Sequence, residues 1–130
     1  MLEHFQKQRF ASLETYRRNG TAVHTPLLFV IHRERLYMRT AVHTYKVKRI
    51  RNNPKVRVAP STFKGEPKGD WVEGQARIYD AADMQWVNAL SKARNGWFKR
   101  LVDFRNRFKD VEFVVIEVTL AKSESLEGSL

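Results

Sequence analysis

The dipeptide Asn19-Gly20 separates two runs of residues, 13–17 and 22–31, whose composition is typical of β-strands. Both turn residues tolerate a positive φ angle, so this pair between strand-like runs predicts a β-hairpin. In the second run, apolar residues occupy both alternating faces, which is the pattern of a strand packed on two sides. A chain with such a hairpin near its start is expected to build an antiparallel sheet.

Further alternation of apolar and polar residues predicts four more strands. They cover residues 35–40, 55–61, 71–79 and 111–120. The turn-rich sequence KGEPKGD, residues 64–70, joins the fourth strand to the fifth. Together with the hairpin, these segments predict a sheet of six strands.

Two segments have helical rather than strand spacing. In residues 43–52, Val47 and Ile50 lie three apart, and the segment ends before Pro54, which disfavours helix in the residue that precedes it. A longer amphipathic stretch follows Asp80 and is interrupted at Asn95-Gly96. Its apolar residues are Trp86, Leu90, Ala93, Trp97, Leu101, Phe104 and Phe108.

Six strands with helices at the ends describe a mainly β fold, a small six-stranded antiparallel β-barrel. The 130 residues are the length of one domain. We therefore expect a single domain over residues 1–130. The segments 1–10 and 121–130 are expected to lie at its periphery.

The overall composition points to an anionic partner and excludes several kinds of site. Lys and Arg number 24 against 14 Asp and Glu, which gives a formal charge of +10 that attracts anions. The chain has no Cys, and its four His lack metal-ligand spacing, so no metal site is expected. The longest apolar run, residues 26–31, is too short to cross a bilayer. A soluble cytoplasmic protein is expected.

The most basic stretch of the chain is HTYKVKRIRNNPKVRVAP, residues 43–60, which contains no Asp or Glu. At helical spacing Lys46 and Arg49 lie near each other, whereas Lys48 and Arg51 point elsewhere. A helix that starts directly after the strand ending at Thr40 would direct its free backbone N–H groups toward that strand end, where they could bind a phosphate. The alternative interpretation is that all these charges are solvated surface.

No sequence motif assigns a catalytic residue. The chain lacks a nucleophile elbow, a Walker loop and a dinucleotide-binding fingerprint. If the protein is an enzyme, we therefore expect a cofactor to carry the reaction.

The order of several segments resembles one family. They are the Gly-turn hairpin, HTPLLF (24–29), LYMRT (36–40), KVKRIRNNPKVRVAP (46–60) and WVEGQARI (71–78). This succession, over about residues 13–120, resembles the pyridoxamine-phosphate-oxidase-like split β-barrels, the FMN-binding split-barrel type of fold. It is similar, more narrowly, to the small class F-420-dependent oxidoreductases of that superfamily.

The resemblance implies a cofactor ring in a cleft between the two subunits of a homodimer, with its phosphate at the junction of the third strand and the following helix. Lys46 would pair with that phosphate, and Thr44 would lie in the same pocket. Thr25, Pro26 and Leu27 would line the ring edge. Arg39 and Thr40 would contact the ring or the ribityl and phosphate portion. Lys48 and Arg49 would face the anionic tail.

The resemblance also implies a function: a coenzyme F-420-dependent reductase that exchanges a hydride with a small organic substrate. FMN is the alternative cofactor, and a non-catalytic carrier of flavin or haem is a further alternative. Tyr45 stands where the flavin-phosphate oxidases have Arg, which argues against vitamin B6 oxidase activity. A nucleic-acid-binding module, with Trp side chains as stacking platforms, is a more distant alternative.

Overall fold

The computed structural model describes residues 3–95 and 112–121, and seven strands in one sheet dominate it. The strands are β1 (Phe10–Tyr16), β2 (Ala22–Leu28), β3 (Val30–His32), β4 (Arg35–Ala41), β5 (Lys55–Ser61), β6 (Val72–Asp80) and β7 (Phe113–Leu120). The helices are α1 (Glu3–Gln6), α2 (Tyr45–Asn52) and α3 (Gln85–Asn95), and a 3-10 turn (Ala81–Met84) precedes α3. The predicted helical residues 96–108 lie outside the described part of the chain.

The sheet is antiparallel throughout and curls without closing. Its strand order is β2-β1-β5-β6-β7-β4-β3, so β2 and β3 are the two edges. Strand β2 nevertheless contacts β4, to which it is not hydrogen-bonded in the sheet. The sheet therefore wraps around its core and leaves a split beside β2. The fold class predicted from the sequence is confirmed.

The number of strands differs from the prediction of six. The single strand expected over residues 22–31 divides at Phe29 into β2 and β3, because the chain leaves its partner β1 there and crosses to β4. The backbone N–H of Phe29 donates to the oxygen of Arg9 (3.3 Å), and its buried ring packs edge-on against Phe5. Apolar residues on both faces made the two strands resemble one in the sequence. The expectation of a strand packed on two sides is wrong for β2, which is an edge strand whose residues are exposed or only partly buried.

The predicted hairpin at Asn19-Gly20 is confirmed. Gly20 has a φ of 88°, and the backbone N–H of Arg17 donates to the oxygen of Thr21 across the turn. Strand β1 starts at Phe10, three residues earlier than expected. The N-terminal segment is also less peripheral than expected, because Phe5 is buried in the core.

The sheet has an inner face, which carries Leu13 of β1 and Met38 of β4, and an outer face. The predicted helix over 43–52 is α2, which begins at Tyr45 and lies against β1 and β6 with Ile50 in the core. Helix α3 packs on the outer face, where Val87 contacts the cluster around Tyr37. Helix α2 thus faces the inside of the sheet, and α3 covers part of its outside.

Candidate functional site

Helix α2 begins at Tyr45, shortly after β4 ends at Ala41. Its N-cap residue, Thr44, donates its hydroxyl to the backbone oxygen of Ala41 (3.0 Å) rather than capping the first turn of the helix. The hydroxyl thereby ties the helix start to the strand end. The first-turn N–H groups of α2 remain a favourable place for a negative charge.

Lys46, in the first turn of α2, reaches back to β4. Its Nζ donates to Oγ1 of Thr40 over 3.2 Å, and Thr40 is itself buried. The Lys46 side chain is partly buried, and this burial, together with the positive charge of Arg49, lowers its pKa. The structure thus brings together three residues predicted from the sequence: Thr40, Thr44 and Lys46.

Arg49, one turn further along α2, points to β1. Its Nε donates to Oγ1 of the buried Thr15 at 2.6 Å. Burial, followed by the charge of Arg17, lowers the pKa of Arg49. Sequence reasoning missed Thr15, because a contact between positions 15 and 49 leaves no signal in the local spacing of residues.

We call Thr15, Thr40, Lys46 and Arg49 the inner cluster. Its two cations repel each other, and burial lowers the pKa of both. Among residues 3–95 and 112–121, no carboxylate forms a salt bridge with either cation. The inner cluster is therefore a partly buried positive site with no counter-charge from the part of the chain that the structure describes.

The residues predicted to line the ring edge are divided between the two faces of β2. Thr25 and Leu27 pair with Leu13 and Ala11 of β1, so they lie on the inner face, beside the split. Pro26 lies on the outer face, with Gly65 of the β5–β6 loop close to its ring. Thr25 and Leu27 therefore share a face with the inner cluster, whereas Pro26 does not.

Arg39 and Lys48 lie apart from the inner cluster. Arg39 follows the outer face of β4, where its guanidinium is 3.8 Å from the ring centroid of Phe113 and lines a cavity of about 530 Å³. Lys48 is exposed on α2. Tyr45, the unusual residue at the helix start, is also exposed, with 77% of its surface accessible. Because it is exposed, the Tyr45 ring does not narrow the space around Lys46 within a single subunit.

A second charged group, which sequence reasoning also missed, occupies the outer face of β1. Glu14 is only 2% exposed and accepts two hydrogen bonds from Arg57, at 2.6 and 2.8 Å. Nε2 of His24 lies 2.7 Å from the same carboxylate, and the Tyr16 hydroxyl donates to it. We call these four residues the outer cluster.

The charges of the outer cluster compensate one another. The hydrogen bonds from Arg57 are the main reason why the pKa of Glu14 falls to about 2, and burial acts in the opposite direction. The Arg57–Glu14 pair also raises the pKa of Arg57. The ring of Trp71 stacks on His24 at 4.7 Å. The outer cluster therefore has no need of an external anion.

The described residues contain no group of three or more His, Cys, Asp or Glu side chains placed to hold a metal ion. Over the same residues, no helix is both long and apolar enough to cross a membrane.

Comparison with solved structures finds the same fold in proteins of different function. General Stress Protein 26 from Bacillus anthracis is 23% identical, with a TM-score of 0.62 over 90% of this chain and 83% of that one. HutZ, the haem storage protein from Vibrio cholerae, is 16% identical, with a TM-score of 0.66 over 92% and 87%. An F420 reductase is 16% identical, with a TM-score of 0.61 over 92% of each chain. These likenesses establish the fold.

A search of curated proteins finds no match. The family model described as pyridoxamine 5'-phosphate oxidase, however, matches residues 1–125, nearly the whole chain. The chain therefore belongs to the pyridoxamine 5'-phosphate oxidase family of flavin-binding split-barrel proteins.

Proposed function

We propose that this protein is a cytoplasmic oxidoreductase that uses coenzyme F-420, with FMN as the alternative cofactor, to exchange a hydride with a small organic substrate. The inner cluster holds the cofactor phosphate, through Lys46 and Arg49 as cations and Thr40 as a hydroxyl donor. When bound, the deazaflavin or flavin ring supplies the hydride chemistry.

The observation that carries this proposal is the uncompensated charge of the inner cluster. Moving a cation out of water costs free energy unless a counter-charge accompanies it. Lys46 and Arg49 bear this cost next to each other, with no carboxylate to neutralise them among the described residues. A bound phosphate would remove both the repulsion and the unmet charge.

The donors present fit a phosphate group. Lysine offers a point charge, arginine a planar fork of N–H donors, and threonine a hydroxyl that can reorient. The start of α2 adds backbone N–H groups at the same position. Thr25 and Leu27, on the same face beside the split, would contact the ring edge and exclude water from it.

Charge favours F-420 over FMN. The tail of F-420 carries carboxylates, whereas FMN ends at its phosphate. Beyond Lys46, the exposed residues Lys48 and Arg51 continue the positive surface of α2, and the formal charge of the whole chain is +10. These charges would attract the tail. The F420 reductase among the structural neighbours supports the shared fold, and its cofactor is compatible with this choice.

We further propose that the single domain forms a homodimer with the cofactor at the subunit interface. Tyr45 is the most exposed large apolar side chain among the described residues and directly precedes Lys46. A second subunit that covers Tyr45 would close the inner cluster off from water. Light scattering is expected to give twice the chain mass of 15.3 kDa, and a strictly monomeric protein would contradict this arrangement.

The function is tested by titrating the purified full chain with F-420, FMN and a labelled oligonucleotide. We expect affinity for F-420, weaker affinity for FMN and none for the oligonucleotide. Lys46→Ala should weaken cofactor binding by about 1.5–3 kcal/mol through loss of a charge-assisted contact. Lys55→Ala, which removes an exposed lysine from β5, is the matched control and should leave affinity unchanged.

Two results would contradict the proposal. Salt-sensitive binding of the oligonucleotide without any cofactor affinity would make the protein a nucleic-acid binder. Cofactor binding without spectroscopic reduction or oxidation in the presence of candidate substrates would instead indicate a non-catalytic carrier.

A further inference from the structure

A groove of about 630 Å³ lies on the outer face of the sheet, between the β3–β4 turn and helix α3. The side chains that line it include His32, Arg33, Arg35, Tyr37, Trp86 and Leu90. Its volume is in the range of small-molecule sites in proteins. We call it the aromatic–arginine groove.

Aromatic rings form one wall of this groove. The ring of Trp86 lies 4.8 Å from that of His32 and 4.7 Å from that of Tyr37, which meets it edge-on at 72°. These neighbours fix the orientation of the indole. Trp86 nevertheless remains 36% exposed, and Leu90, one turn further along α3, is 39% exposed. A rigid aromatic surface is thus available to a flat ligand.

Two arginines also line the groove. Arg33 and Glu34 have φ angles of 50° and 65°, so the turn between β3 and β4 is a tight one with both central residues in the left-handed region. Arg33 is exposed at the turn, and Arg35 follows it at the start of β4. Both arginines are among the residues that line the groove.

Among the residues that the structure describes, the carboxylates near these arginines leave them with donors to spare. Nη1 of Arg35 is 3.7 Å from Oε2 of Glu117, longer than a direct charge-assisted hydrogen bond. Glu117 is buried and also accepts the Tyr37 hydroxyl at 2.9 Å. Glu34 lies in the same turn but does not line the groove. The planar fork of an arginine matches a carboxylate in geometry.

We propose that the aromatic–arginine groove binds a planar aromatic carboxylate, with its ring on Trp86 and its carboxylate on Arg33 and Arg35. This site is distinct from the proposed cofactor site. Tyr37 lies on the outer face of β4, whereas Thr40 of the inner cluster lies on the inner face. The inference therefore does not depend on which cofactor the inner cluster holds.

The test uses 2-naphthoate as the probe, the full chain, and calorimetry together with tryptophan fluorescence. Neutral 2-naphthamide tests the need for charge, and octanoate, an anion without a ring, tests the need for aromaticity. We expect 2-naphthoate to bind about tenfold more tightly than either. Its binding should quench tryptophan fluorescence, and Trp86→Phe should remove most of that quenching while retaining most of the affinity.

Charge variants locate the carboxylate. Arg33→Asn, which suits the positive φ of the turn, and Arg35→Gln should each weaken 2-naphthoate binding about tenfold and leave 2-naphthamide binding unchanged. Arg77→Gln is the matched control, because Arg77 is an exposed arginine that lies near an aromatic ring, that of Tyr79, outside the groove. Lys46→Met should also leave 2-naphthoate affinity unchanged.

Equal affinity for 2-naphthoate and 2-naphthamide would overturn the proposal, as would unchanged affinity in both arginine variants. A loss of binding in Lys46→Met would also overturn it, because the probe would then occupy the cofactor site. Thermal unfolding of each variant verifies that it folds. Because Arg35 contacts buried Glu117, Arg35→Gln could fail to fold. Arg33 is exposed, so Arg33→Asn then still decides the test.

Discussion

Strand β1 carries a cluster with basic side chains on each of its faces, anchored by the consecutive residues Glu14 and Thr15. On the outer face, Glu14 neutralises Arg57 and also binds His24. On the inner face, Thr15 accepts a hydrogen bond from Arg49, but a hydroxyl carries no charge, and Lys46 adds a second cation. The two clusters thus use similar basic residues with opposite electrostatic results.

This difference separates stability from binding. A compensated ion pair contributes to the fold, and removing one partner leaves a costly charge behind. An uncompensated group of cations destabilises the fold, but it favours the binding of an anion. If the comparison is correct, neutralising a charge in the outer cluster must destabilise the protein. Neutralising one in the inner cluster must not.

The largest expected effect is that of Glu14→Gln. The substitution leaves the guanidinium of Arg57 without its counter-charge beside a buried side chain, so the free energy of unfolding should fall by about 3 kcal/mol. Urea denaturation monitored by circular dichroism measures it. A change below about 0.5 kcal/mol, the range of ordinary surface substitutions, would show that the outer cluster is not compensated as described.

Acid pH gives an independent measure of the same interaction. The pKa of Glu14 is lowered from 4.5 to about 2, so the folded state holds the carboxylate ionised when the unfolded state no longer does. The stability from this group is complete above pH 4.5 and is lost as the pH falls toward 2, in total about 3 kcal/mol. In Glu14→Gln this part of the acid loss should be absent.

The inner cluster should respond in the opposite direction. Lys46→Met keeps the length of the side chain but removes a partly buried cation that repels Arg49, so the cofactor-free protein should gain about 1 kcal/mol in unfolding free energy. The same denaturation experiment measures this gain. Lys48→Met, on the exposed side of the same helix, is the control and should change little. Destabilisation by Lys46→Met would place Lys46 among the structural residues.

The smallest expected effect is at alkaline pH. Because the pKa of Lys46 is lowered from 10.5, the folded state releases this proton before the unfolded state does. Stability from this group therefore rises as the pH increases from the lowered pKa to 10.5. Tyr16 and Tyr37, whose pKa values are raised by burial, act oppositely above pH 10. The tyrosine contributions cancel in the difference in unfolding free energy between wild type and Lys46→Met. This difference should shrink as the pH rises.

The sequence predicted most of the fold because local signals specify it. The Asn19-Gly20 turn, the alternation in four later strands and the helix that ends before Pro54 all depend on neighbours within a few residues. The division at Phe29 was missed, because the chain changes partners there without interrupting its apolar run over residues 26–31. The break between the strands over 22–31 and 35–40 was predicted, but the left-handed geometry of the Arg33-Glu34 turn was not, because neither residue type favours a positive φ.

The candidate sites were predicted less completely. Lys46 and Thr40 are only six residues apart, at a helix start and a strand end. A resemblance in the local sequence motif is therefore enough to predict that they lie together. Arg49 with Thr15, and Arg57 with Glu14, join residues more than thirty positions apart. Glu14 and Arg57 come together only through the register of β1 with β5, which the residue spacing within a single segment does not reveal.

The most direct test of the central claim compares each cofactor with its phosphate-free form. Isothermal titration would give the affinities of the full chain for FMN and riboflavin, and for F-420 and the deazaflavin core that lacks the phosphate and tail. If the inner cluster holds the phosphate, the phosphorylated form binds at least about tenfold more tightly, and Lys46→Met combined with Arg49→Gln removes the difference. Equal affinities for the phosphorylated and phosphate-free forms in the wild-type protein would contradict the account.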